Sequence, residues 1–141
     1  MEEKVYRSEL TPNHFLRRSA YMFPDKTAVV YGERRYTYGE LEGRVNRLAS
    51  RLKDTGLERG DRVAFLCFNT PPMLDAHFGV PLAGLVLVAI NTRLGKDEVK
   101  YIVEHSGSKM VFVDAELVDP AVLGGETPRF DAALPRVAPK A

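Results

Sequence analysis

Cysteine is almost missing from this chain: Cys67 stands alone among 141 residues. A single thiol excludes a disulfide within these residues and fits a reducing compartment. It lies in Val63-Ala64-Phe65-Leu66-Cys67-Phe68, an apolar stretch that reads as a buried strand, so core packing is its expected role. A dominant charge is missing too. With 20 Lys and Arg against 19 Asp and Glu, the net charge is +1, which gives no case for nucleic acid or an anionic membrane as the main partner. One Arg gripping one phosphate is still compatible with that balance. No apolar run reaches the roughly 20 residues needed to span a bilayer; the longest, residues 78–90, is interrupted by Gly79, Pro81 and Gly84. The N-terminus, Met-Glu-Glu-Lys-Val-Tyr-Arg, is mixed in charge with no apolar run behind it, so no secretory signal is read there. The expected location is cytoplasmic.

Several catalytic signatures are also absent. Gly79-Val-Pro-Leu-Ala-Gly84 has the glycine spacing of a nucleotide phosphate loop, but Leu85-Val86 stands where Lys and Ser or Thr are required. The bland reading, a helix turning into a strand, is therefore preferred. No G-x-G-x-x-G follows a strand, and no G-x-S-x-G elbow occurs. His14, His77 and His105 have no metal-ligand spacing. His77 beside Phe78 reads as a packed or partly buried histidine, and His105 as a helix-end residue favoured by the dipole.

What the chain does contain is ordered α/β patterning. Thr11-Pro12 opens a short helix ended by Phe23-Pro24-Asp25. Residues 27–31 and 35–38 flank Gly32-Glu33 as a β-hairpin. Thr37-Tyr-Gly-Glu40 fits a capping box, and Leu41, Val45, Leu48 and Leu52 follow at helical spacing, with Arg44, Arg47 and Arg51 expected on the solvated face. From residue 62 to 114 the order is β-α-β-α-β: a strand over 62–68; a helix capped by Asn69 or Thr70 with a stripe of Leu74, Phe78 and Leu82; an apolar strand over 85–90; a helix marked by Val99, Ile102 and Val103 and closed by Gly107; and a strand over 109–113. Such alternation implies a parallel sheet with right-handed crossovers, its 85–90 strand covered on both faces. Residues 1–119 are thus read as one α/β unit, which the resemblance given below implies is a partial domain. Residues 120–141 hold four of the nine prolines and Gly124-Gly125, and are expected to be a loosely ordered tail.

Polar residues at the carboxyl ends of parallel strands are where open α/β sheets bind ligands. Asn91-Thr92-Arg93 follows the apolar 85–90 strand. A guanidinium there can hold a phosphate bidentately, and Asn can shape the loop. The alternative is a solvated Arg93 beside residues that merely form the turn.

The ordered stretches Phe23-Pro-Asp-Lys-Thr-Ala-Val29, Tyr36-Thr-Tyr-Gly-Glu-Leu41, Gly60-Asp-Arg-Val-Ala64, Ala83-Gly84 and Asn91-Thr-Arg-Leu94 together resemble the start of the adenylate-forming acyl-CoA synthetases, the AMP-binding superfamily. Glu98, Tyr101-Ile102, Ser106 and Val111-Phe-Val113 continue the match, which covers about residues 11–114. His77-Phe-Gly-Val-Pro81 with the Asn-Thr-Arg-Leu turn looks most like the branch that activates medium-chain carboxylic acids. The resemblance implies ATP, Mg²⁺ and coenzyme A as co-substrates and cofactor, and a two-step ligation. A carboxylate and ATP give acyl-adenylate and pyrophosphate, and the thiol of coenzyme A then displaces AMP. It also implies that Arg93 faces the 3′-phosphate of coenzyme A, with Asn91 and Thr92 shaping its turn.

In that family the reactive duties fall to a Gly/Ser/Thr-rich phosphate loop ending in Pro-Lys, a Thr-Glu pair, a ribose-binding Asp and a C-terminal Lys. None of these motifs occurs here, so no catalytic residue is assigned, and the chain is expected to be inert alone. Local departures are Ala89 for a frequent Pro, Pro72 for a usual Glu, and Gly95-Lys96 for a Ser/Thr-Pro helix start. The competing reading is a stand-alone module that binds coenzyme A, a nucleotide or a protein. A partial domain is also expected to expose core surface and to self-associate.

Overall fold

The computed structural model describes residues 10–117; the expected tail over 120–141 lies outside them. The elements run α1 (Pro12–Met22), β1 (Thr27–Tyr31), β2 (Arg34–Thr37), α2 (Tyr38–Lys53), β3 (Arg62–Leu66), α3 (Pro71–Leu82), β4 (Val86–Ala89), α4 (Lys96–Ser106) and β5 (Met110–Val113), then a short 3-10 turn at Ala115–Leu117. β1 and β2 pair antiparallel, and β3 lies between β4 and β5 in a parallel sheet of order β4-β3-β5. The fold is α/β, with an N-terminal helix and hairpin followed by a parallel βαβαβ unit.

The local signals for these elements are physical. Thr11 caps α1 by accepting from the His14 N–H at 3.3 Å. The capping box of α2 is complete: Thr37 Oγ1 accepts from the Glu40 N–H at 3.2 Å, and Glu40 Oε2 accepts from the Thr37 N–H at 2.8 Å. Each satisfies an amide that has no partner within the helix. At the far end of α4, Gly107 takes a left-handed φ of 60°, a conformation cheap only for glycine.

Two apolar clusters make the core, and both use α2 and α3. Leu48, Leu52, Val63, Phe65, Met73, Ala76, Val80 and Leu85 form the larger; Leu16, Leu41 and Val45 centre the smaller, under the hairpin. The 41, 45, 48, 52 stripe of α2 is therefore buried as its spacing requires.

Four details depart from the sequence reading. The buried face of α3 is Met73, Ala76 and Val80; Leu74 and Phe78 sit at the smaller cluster and Leu82 is exposed. α3 is apolar nearly all round, so periodicity could not choose its face. Thr70 occupies the N-cap of α3 without a side-chain bond to the helix; its hydroxyl donates to the Phe68 carbonyl instead. β4 is not covered on both faces: Val86 is 47% exposed, and Ala89 is exposed. Arg44 is not a solvated residue, because it pairs with Asp75 across the α2–α3 contact.

Candidate functional site

The parallel strands bring three chain exits to one edge of the sheet. The Ile90 N–H donates to the Phe65 carbonyl at 2.9 Å and the Asp114 N–H to the Leu66 carbonyl at 3.0 Å. The segments beginning at Cys67, Asn91 and Asp114 thus leave side by side. This is the carboxyl edge, where ligand contacts gather in open α/β sheets.

Asn91-Thr92-Arg93 forms a defined turn there. The Asn91 side-chain oxygen accepts from the Arg93 N–H at 3.0 Å, and its backbone carbonyl accepts from the Leu94 N–H at 3.3 Å. This side-chain-to-backbone link lets Asn shape a turn in place of a backbone bond. Thr92 is half-buried, whereas Asn91 and Arg93 are exposed. Among the described residues the Arg93 side chain enters no ion pair or hydrogen bond. Immediately beyond, Glu98 Oε2 accepts from the Gly95 N–H at 2.8 Å. With Asp97 and Glu98 in the first turn of α4, the helix end itself repels an anion, and the guanidinium is the group suited to one.

Cys67 and Asp114 lie at the same edge. Burial first, then the nearby Asp114 carboxylate, pushes the Cys67 thiol up from 9.0 to about 11. A thiol held protonated in this way is a poor nucleophile, consistent with packing.

Two clefts lie away from the Arg93 turn. One, of about 280 Å³, is walled by Val29, Val30 and Tyr31 of the hairpin and by Asn69, Thr70 and Met73 where β3 passes into α3. The other, of about 610 Å³, runs between the first turn of α1, the middle of α2 and the end of α3, and is edged by Arg17, Glu42 and Arg59. Arg93, Asn91 and Thr92 line neither of these two clefts. His77 borders both, and it is exposed, not packed. Its Nδ1 donates to the Met73 carbonyl at 2.8 Å, leaving Nε2 as the acceptor in the neutral ring.

Two arginines have roles that sequence reasoning missed. Arg62 donates from Nε to the Ser106 carbonyl at 2.8 Å and from Nη2 to the Gly107 carbonyl at 3.1 Å. It so caps the carboxyl end of α4 from the amino end of β3. Arg44 donates from Nε to Asp75 Oδ1 at 3.2 Å and from Nη2 to Oδ2, with its guanidinium 4.9 Å from the centre of the Tyr36 ring. The one available signal was Asp75 itself, the lone acid in a mostly apolar helix. Among the described residues no group of three or more His, Cys, Asp and Glu is placed to hold a metal ion. No described helix is long and apolar enough to cross a membrane.

Known proteins are similar to this chain in sequence and fold. A family model described as AMP-binding enzyme matches residues 16–137. The chain is 50% identical over 107 residues to 4-hydroxybutyrate–CoA ligase 2 of Metallosphaera sedula, covering 76% of this chain and 20% of that protein. It is 42% identical over 107 residues to a peroxisomal acetate/butyrate–CoA ligase of Arabidopsis thaliana, covering 76% of this chain and 19% of that one. Among solved structures, a fatty acyl CoA synthetase of Mycobacterium tuberculosis superposes with a TM-score of 0.73 at 35% identity, over 79% of this chain and 22% of that one. The chain therefore spans about a fifth of the length of these relatives. It belongs to the AMP-binding enzyme family, with CoA ligases among its relatives.

Proposed function

We propose that this chain is the opening part of the nucleotide-binding domain of an ATP-dependent acyl-CoA synthetase. The whole protein would join a carboxylic acid to coenzyme A through an acyl-adenylate, with ATP and Mg²⁺. The observation that carries this reading is the coincidence of family, fold and turn: a CoA-ligase-like βαβαβ unit with an exposed Arg93, unpaired among the described residues, at its carboxyl edge. The acids named for the relatives, 4-hydroxybutyrate, acetate and butyrate, support a small aliphatic acid, next to the medium-chain branch that residues 77–81 resemble. The proposed compartment is the cytoplasm, on the strength of a single reduced cysteine. Cofractionation with peroxisomes, where several relatives are named, would overturn that.

Arg93 is proposed to grip the 3′-phosphate of coenzyme A, with Asn91 and Thr92 holding the turn. An exposed guanidinium free of ion pairs among the described residues, on an Asn-braced loop, suits a phosphate monoester. Calorimetry of the 141-residue chain with coenzyme A should show binding that weakens about tenfold in Arg93→Ala and also with 3′-dephospho-coenzyme A, a charge-assisted pair being worth about 1.5–3 kcal/mol. Equal affinity for the two nucleotides would remove Arg93 from the site. The same chain mixed with ATP, Mg²⁺ and butyrate should release no pyrophosphate, since it has neither the phosphate loop nor the catalytic Lys. Detectable release would overturn its proposed inertness.

A further inference from the structure

We propose that Arg62 is a positioning residue for the Arg93 turn. It fastens the carboxyl end of α4 to the central strand, and the helix carries that constraint to its amino end. The inference rests on the reading of Arg93 as a phosphate contact, and its test separates the two.

Among the described helices α4 alone buries no residue. α1, α2 and α3 each place residues in the core, Leu16, Leu48 and Val80 among them. The apolar positions of α4, Val99, Ile102 and Val103, are only half-buried. Packing supplies most of a short helix's stability, so one that buries little opens readily unless its ends are tied.

At the carboxyl end the tie is Arg62. Its backbone is fixed, since β3 is the middle strand and the Arg62 carbonyl accepts from the Lys109 N–H at 2.9 Å. The guanidinium forks across three carbonyls: Nε donates to Ser106 at 2.8 Å, Nη2 to Gly107 at 3.1 Å and Nη1 to Gly60 at 3.3 Å. Those of Ser106 and Gly107 lie where a helix end leaves carbonyls without partners, and a cation there suits the negative end of the dipole. The fit is close, because a Cβ at Gly107 would lie 2.8 Å from Arg62 Nη2.

At the amino end lies the Arg93 turn. The Asn91 side chain accepts from the Arg93 N–H, the Asn91 carbonyl from the Leu94 N–H, and Glu98 from the Gly95 N–H. The turn therefore runs without a break into the first turn of α4. The 11 residues of α4 make a rod about 16 Å long. A tilt of about 10° at one end would move the other by about 3 Å over that length. That is several times the roughly 0.5 Å within which a binding group must be held.

Amide hydrogen exchange and calorimetry on the 141-residue chain test this. Arg62→Met should quicken exchange about tenfold in the last turn of α4 and leave α2 unchanged. The same variant should lower the preference for coenzyme A over 3′-dephospho-coenzyme A about fivefold, with affinity for the dephospho form unchanged. Arg62→Lys keeps the charge and the stem but not the fork; it should reproduce both shifts, and it stands in if the Met variant fails to fold. Unchanged exchange in α4, or an equal loss of affinity for both nucleotides, would overturn the positioning role. So would a preference that survives at Arg62→Met while Arg93→Ala abolishes it. A wild type that does not distinguish the two nucleotides would instead overturn the Arg93 reading, and this inference with it.

Discussion

The Arg44–Asp75 pair joins two helices through charge in an otherwise apolar contact. Asp75 is 2% exposed. Burial pushes its carboxyl above the ordinary 3.8, outweighing the opposing pull of Arg44 and Arg47. Cutting one side of such a pair strands the other in the core. Arg44→Ala should cost about 3 kcal/mol in urea unfolding, whereas Arg44→Met with Asp75→Leu together should recover most of the loss. A double variant no better than the single one would show that the charges themselves hold the helices. Cys67 offers a titration instead. Because the folded chain keeps the thiol proton up to about 11 while an unfolded thiol loses it near 9.0, the folded state binds more protons between those values. Stability from this group is therefore full below pH 9 and declines as pH rises through that window. Cys67→Ala should remove that alkaline slope, and in wild type iodoacetamide should react roughly a hundredfold more slowly at pH 8 than with a model thiol.

Among the elements, α2 and α3 make the contact on which the rest is assembled, and Gly79 is its closest point. A Cβ built there would lie 2.8 Å from Leu48 Cδ2 and 3.2 Å from Leu48 Cβ. Gly79→Ala would gain about 1 kcal/mol of helix propensity, yet the overlap reaches the base of Leu48 and leaves it little room to turn aside. The expected net effect is destabilisation by about 1–2 kcal/mol, read from the denaturation midpoint; a rise in the midpoint would show that the helices can slide apart at no cost. The glycine pair at 79 and 84 that imitates a phosphate loop thus has a packing reason at its first member and a turn with φ 86° at its second. Helices with one apolar stripe were legible in the sequence: α2 reads directly from Leu41, Val45, Leu48, Leu52 and the Thr37–Glu40 box. α3 was not, because a helix apolar on every side has no face to read. Arg44 was misread for a related reason: its partner lies 31 positions away, and local spacing carries no trace of it.

At the scale of the whole molecule, both apolar clusters share α2 and α3, so neither can dissolve without exposing the other. One cooperative transition is expected, with helix ellipticity and tyrosine fluorescence melting together at low concentration. Separate midpoints would show the hairpin and α1 to be an independent unit. The alternation from residue 62 onward disclosed the parallel sheet, since each crossover is written consecutively in the chain. The Asn91–Arg93 turn was legible because a polar triplet interrupts an apolar strand, whereas the exposure of His77 was not, since a ring beside Phe78 gives no sign of which way it faces.

The central place of β3 also bears on how the chain comes together in time. Arg62 meets Val86 after one crossover, while Val63 meets Met110 only after two. The second closure spans about twice as much chain, which adds only about 0.6 kcal/mol of closure entropy, and it forms on the side of β3 away from β4. The β3–α3–β4 crossover, the shorter of the two closures, is therefore expected to form first, with β5 adding to the other side of β3.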